Sequence, residues 1–200
     1  MLAALTLLAF LAFALTDWVA VNDERRALEY VAKPAALAAL LLYALTGGHS
    51  SWLIAALALS LLGDVYLMLP TDLFLAGMAA FFLAHVAYVG AFDASLRWRI
   101  VWWMVALAAS APVSVRIVRA IQDPGLRFAV VGYMAIIGLM VGSAFASGRF
   151  TAVVGALLFL ASDSIIAWNR FVQPLTWAQP TIMIAYHLGQ LGLVLALRAG

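Results

Sequence analysis

The chain has 200 residues, of which 67% are hydrophobic and 10% charged, with a mean hydropathy of +1.08. That composition excludes an ordinary soluble domain and describes an integral membrane protein. A net charge of +2 spread over loops gives no footprint for nucleic acid, and without cysteine there is no disulfide, thiolate nucleophile or Cys-ligated metal.

Polar and turn residues cut the sequence into about eight apolar segments of ~20 residues, each long enough to span a bilayer. Helices are expected at roughly 2–20, 28–46, 51–69, 72–92, 98–115, 127–147, 150–169 and 177–198, forming one integral-membrane domain over residues 1–200. The first segment lacks the basic flank of a signal peptide and runs into Asp17 and Trp18, so it reads as a retained helix with Asp17 as a helix-end charge. The second carries Lys33 next to Pro34. Lys33 is the only lysine among 11 basic residues, and the arginine excess resembles high-GC codon usage, so its survival inside an apolar run invites a functional role. The plain alternative is an i, i+4 pair with Glu29. A Gly-rich turn with His49, read as a surface histidine, leads to the third segment, which ends on Ser60-Leu61-Leu62-Gly63-Asp64. Thr71 or Asp72 can cap the fourth, which carries His85. Tyr133 lies in the sixth, Ser162 and Asp163 late in the seventh, and His187 in the eighth. All seven tryptophans fall near segment ends, as interfacial rings do.

Each half of the chain thus supplies an aspartate late in one helix and a histidine in the next, which suggests two related four-helix halves. Arg25, Arg26, Arg116, Arg119, Arg127 and Arg170 fall in the odd-numbered loops, against Arg97, Arg99, Arg149 and Arg198 on the other face, so the first set is expected to be cytoplasmic. Counting ~1.5 Å per residue from the helix ends, Asp64, Asp163, Lys33, Tyr133 and His187 reach one level about 10 Å beneath that face. His85 lies some 20 Å along its helix by the same count. Charges inside a bilayer cost at least ~2.5 kcal/mol on insertion scales, so these groups are candidates for function rather than filler. The spacings Gly77, Phe81, His85 and Gly155, Phe159, Asp163 run along single helix faces, with Ser60 one turn from Asp64. A packing seam with polar glue would also account for the serines, glycines and phenylalanines.

Taken in order, Lys33-Pro34, Ser60-x-x-Gly63-Asp64, Gly77-x3-Phe81-x3-His85-x2-Tyr88, Tyr133 and Gly155-x3-Phe159-x2-Ser162-Asp163 resemble the YhhN family of membrane proteins. That family includes the transmembrane lysoplasmalogenases. The resemblance covers the chain from its second to its eighth helix. It implies an all-α polytopic protein, a bundle of eight transmembrane helices, that hydrolyses the vinyl-ether bond of a lysophospholipid substrate to a fatty aldehyde and a glycerophospho-alcohol. It implies no metal and no cofactor, and membrane lipids as the surroundings; we expect a bacterial cytoplasmic membrane.

Vinyl ethers hydrolyse through protonation of carbon, giving an oxocarbenium ion that water captures. Two aspartates in a low-dielectric site can divide the work, one protonated and one ionised, because desolvation and mutual repulsion separate their titrations. Asp64 and Asp163 are the expected pair, with His85 or His187 to activate water. Lys33 is expected to hold the substrate phosphate, and Ser60, Tyr88, Tyr133 and Ser162 to line the substrate. Two other readings compete. Asp64, Asp163, His85 and His187 could bind zinc in a metal-dependent lipid hydrolase, although no HxxxH or HExxH spacing is present. A transporter or lipid-binding scaffold could use buried Asp–His pairs as a proton relay.

Overall fold

In the computed structural model, residues 1–47 and 50–198 are described; His49 lies outside them. Among the described residues the chain is all-α, with α1 (Leu2–Asn22), α2 (Arg26–Leu45), α3 (Ser51–Met68), α4 (Phe74–Ala91), α5 (Leu96–Ala120), α6 (Pro124–Ala146), α7 (Phe150–Phe171) and α8 (Ala178–Arg198). All eight are long and apolar enough to cross a membrane.

Local chemistry fixes the helix starts. Ser50 caps α3 by accepting from the Trp52 amide at 3.2 Å, and Asp72 accepts from the Phe74 amide at 3.3 Å where α4 begins. Asp123 caps α6 at the Leu126 amide, with Pro124 in the first helical position, where its missing N–H costs nothing. The largest departure from the sequence reading is α5, expected to stop near residue 115. It continues through Pro112 to Ala120. Proline removes one amide from the ladder, but spans tolerate it because neighbouring groups take up the freed carbonyl. At 25 residues α5 is ~37 Å long, more than the ~30 Å hydrocarbon core, so its Arg116 and Arg119 end can reach the headgroups.

The residues form two compact units. One comprises Met1–Ala91 with the end of α8 from Leu193, the other Phe92–Gly192. In the first, α1 packs along α2, α2 against α3, and α3 against α4. Gly63 makes room for the Phe81 ring: a Cβ there would stand 2.6 Å from that ring. In the second, α5 packs on α6 and α6 on α7. Trp102 stacks on Phe145 at 4.9 Å, and Trp103 donates to the Ser143 hydroxyl at 2.9 Å. These two tryptophans therefore join helices, a packing duty beyond the interfacial one expected of them. On α8, a Cβ at Gly192 would lie 2.8 Å from the Gly155 backbone, so α7 and α8 meet through small residues.

Within the first unit, short connections make α1 to α4 alternate in direction. In a membrane-inserted preparation, single cysteines at Asn22 and Thr71 should react with an impermeant thiol reagent from one side, and one at Ser51 from the other. Labelling of Asn22 and Thr71 from opposite sides would remove the assignment of α2 and α3 as complete spans.

Candidate active site

Helix α2 carries Lys33 on its buried face, one residue ahead of Pro34. Proline cannot donate to the Tyr30 carbonyl, so the ladder is interrupted just where the lysine projects. Lys33 meets Asp64 of α3, Nζ to Oδ1 at 3.4 Å, with side chains only 8% and 2% exposed. This ion pair takes the place of the i, i+4 partnership with Glu29. Removing the Lys33 ammonium from such a buried pair strands the Asp64 carboxylate, at a cost of about 3–5 kcal/mol.

Asp17 corrects the sequence reading. It was expected as a helix-end charge, yet it is fully buried. The buried positions of α1 are Phe10, Ala14, Asp17 and Ala20, a helical stripe that includes the aspartate. Neither carboxyl oxygen of Asp17 has a hydrogen-bond partner among the described residues. Lys33, Glu29 and Asp64 all act on it electrostatically. The Ser60 hydroxyl, one turn from Asp64, is likewise buried without a hydrogen-bond partner.

His85 and Tyr88 are fully buried on α4. The His85 Nδ1 lies 2.6 Å from the Phe81 carbonyl oxygen. A carbonyl can only accept, so Nδ1 carries the hydrogen and a neutral ring keeps its lone pair on Nε2. That tautomer suits a base.

In the second unit the Tyr133 hydroxyl of α6 donates to Asp163 Oδ2 of α7. Asp163 is half-buried, unlike Asp64. The neighbouring Ser162 donates to the Ile182 carbonyl at 3.2 Å, so its hydroxyl ties α7 to α8. His187 is buried on α8, its ring 5.4 Å from that of Tyr186, which meets Phe159 edge to face. Each unit thus holds one of the expected aspartates with a partner of its own, and one of the expected histidines. Among the described residues no group of three or more His, Asp or Glu side chains is disposed to hold a metal ion.

Eight apolar spans with carboxylates, a lysine and histidines buried among them define a multi-pass integral membrane protein. The chain belongs to the YhhN family, which it matches over residues 28–197. It is 37% identical to the lysoplasmalogenase TMEM86B of Homo sapiens over 151 residues, 76% of this chain and 65% of that protein. With the lysoplasmalogenase of Mycobacterium tuberculosis it shares 34% identity over 136 residues, 63% of this chain and 52% of that one. The chain spans just under two thirds of the length of the TMEM86B relatives it matches. No solved structure matches it.

Proposed function

We propose that the protein is an integral-membrane ether-lipid hydrolase that cleaves the vinyl-ether bond of lysoplasmalogens. The observation that carries this reading is the buried Lys33–Asp64 ion pair. A carboxylate buried beside an ammonium can take part both in proton delivery to a vinyl ether and in stabilising the oxocarbenium ion that forms. Relatives named lysoplasmalogenase support the substrate class.

In the reaction a proton adds to the vinyl carbon remote from oxygen, the π pair forming the new C–H bond. Water adds to the resulting oxocarbenium ion and gives up a proton, and the hemiacetal splits into aldehyde and alcohol. One water is consumed. Asp64 and Asp163 serve as the acid and the stabilising carboxylate, the division familiar from paired carboxylates in glycoside hydrolysis. His85, in the tautomer its Phe81 contact imposes, or His187 takes the proton from water. Lys33 engages the substrate phosphate, while Ser60, Tyr88, Tyr133 and Ser162 orient the lipid. Substrate and surroundings are the same phase, which explains why such an enzyme is built of spans. The arginine-rich basic complement fits a high-GC bacterial source, and we place the protein in a cytoplasmic membrane.

The test is a product assay. Purified protein incubated with lysoplasmalogens and with ester lysophospholipids should release free aldehyde from the former and no fatty acid from the latter. A ligand recovered chemically unchanged would favour the transporter reading instead. Activity lost on chelation and restored by zinc alone would favour the metal-dependent one.

A further inference from the structure

We propose that Asp17 and Asp64 share one proton beside Lys33, and that this shared proton is the one delivered to the vinyl ether, with Asp17 acting through Asp64. The proposal rests on the hydrolase reading and deepens it, by naming the acid and adding a carboxyl group that the family match, which begins at residue 28, does not include.

Partner by partner, the buried aspartates differ. Asp64 has the Lys33 ammonium at 3.4 Å, and Asp163 has the Tyr133 hydroxyl. Asp17 is 0% exposed and neither of its oxygens has a hydrogen-bond partner among the described residues. A carboxylate buried among spans without a partner is one of the most expensive arrangements a membrane protein can hold. Charge counting gives the resolution. Lys33, Asp64 and Asp17 sit on α2, α3 and α1 of one unit; Lys33 pairs with Asp64, and Lys33, half-buried Glu29 and Asp64 all act on Asp17. Two ionised carboxylates against one ammonium leave the cluster with an excess negative charge; two protonated ones leave Lys33 uncompensated. One proton makes it neutral. In the arrangement observed, Lys33 faces Asp64, so the proton resides on Asp17. Two carboxyl groups that share a site behave as one acid, ionising in steps that belong to the pair.

Such a pair closes the reaction cycle. When its O–H bond breaks and the C–H bond forms, both carboxylates are ionised, and the new oxocarbenium ion supplies the missing positive charge. Water addition to that ion releases one proton, which returns to the pair and restores neutrality.

Infrared spectra of the full chain in detergent, with the side-chain carboxyl carbon of aspartate isotopically labelled, test the shared proton without reference to turnover. A label-sensitive protonated-carboxyl band is expected in the wild type and should vanish in Asp17→Asn. It should vanish also in Asp64→Asn, because Asp17 then becomes the counter-ion of Lys33 and gives up its proton. In Asp17→Glu the band should persist but no longer respond to the aspartate label, which keeps the test open if Asp17→Asn fails to fold. On lysoplasmalogen, Asp17→Asn should lower kcat by roughly 10²-fold with KM little changed, and Asp17→Glu should recover most of it. A wild type without this band, or a band that survives Asp17→Asn or Asp64→Asn, overturns the shared proton. Asp17→Asn retaining more than half of wild-type turnover overturns its part in catalysis. A wild type that releases no aldehyde from any lysoplasmalogen refutes the hydrolase reading instead, while the band still decides where the proton resides.

Discussion

Asparagine at position 64 or 163 should leave a folded membrane protein whose turnover is reduced by roughly 10²-fold or more, the scale on which general acid–base groups contribute. The substitution keeps the shape of the side chain and an acceptor oxygen. At position 163 it keeps a partner for the Tyr133 hydroxyl, so the Asp163 contact can persist in altered form. At position 64 the Lys33 ammonium loses its 3.4 Å partner, but Asp17 within electrostatic reach can compensate it. Folding is therefore spared at both sites, and only the proton and the charge are lost. If the two aspartates act as a unit, Asp64→Asn combined with Asp163→Asn should cost little more than the worse single change. A packing role gives the opposite result, since asparagine sheds an expensive buried charge while preserving hydrogen bonding. Aldehyde release by the purified variants decides the matter: both retaining more than about half of wild-type turnover would sink the assignment.

Much of the fold is legible in the sequence because a bilayer imposes two strong rules, apolar length and backbone satisfaction within the helix. The eight helices and most of their ends follow from those rules. The end of α5 does not, because Arg116 and Arg119 read as loop charges; a helix that runs on to Ala120 lets those long side chains extend to the headgroup level. The site is legible in part. Lys33 and Asp64 stand out as charges inside apolar runs, yet their partnership does not, since nothing local to α2 or α3 encodes which lysine meets which carboxylate. The nearest sequence partner, Glu29, is the wrong one. The burial of Asp17 is hard to read from the sequence although its signal is present. Asp17 lies five residues inside the end of α1, much as Asp64 lies four inside the end of α3. Its stripe with Phe10 and Ala14 follows helical spacing. A neighbouring run of loop charges, Asp23 to Arg26, makes it look like one of them.

Lys33 is where stability and chemistry can be separated. With Asp64 as its buried partner, Lys33→Met should destabilise the protein by about 3 kcal/mol, the low end of the cost of orphaning one half of a buried ion pair, because proton uptake by the stranded carboxylate relieves part of it. Adding Asp64→Asn to Lys33→Met should then restore stability, since the second change removes the stranded charge. Such a rescue is the mark of direct coupling. Glu29→Gln should change stability by no more than about 0.5 kcal/mol, as expected for a half-buried charge near a helix start with no ion pair among the described residues. Denaturant unfolding of the four variants measures this cycle without reference to activity. Glu29→Gln proving as harmful as Lys33→Met, or no rescue in the double variant, would refute the ion pair as the reason Lys33 survives in an arginine-rich chain. The phosphate role is read separately. Lys33→Arg keeps the charge and can keep the pair, though with planar, forked geometry in place of a point charge. It should hold stability near that of the wild type while raising KM for phosphate-bearing lysoplasmalogens, and leave KM unchanged for a phosphate-free alkenylglycerol. Equal effects on both lipids would mean that Lys33 serves Asp64 alone.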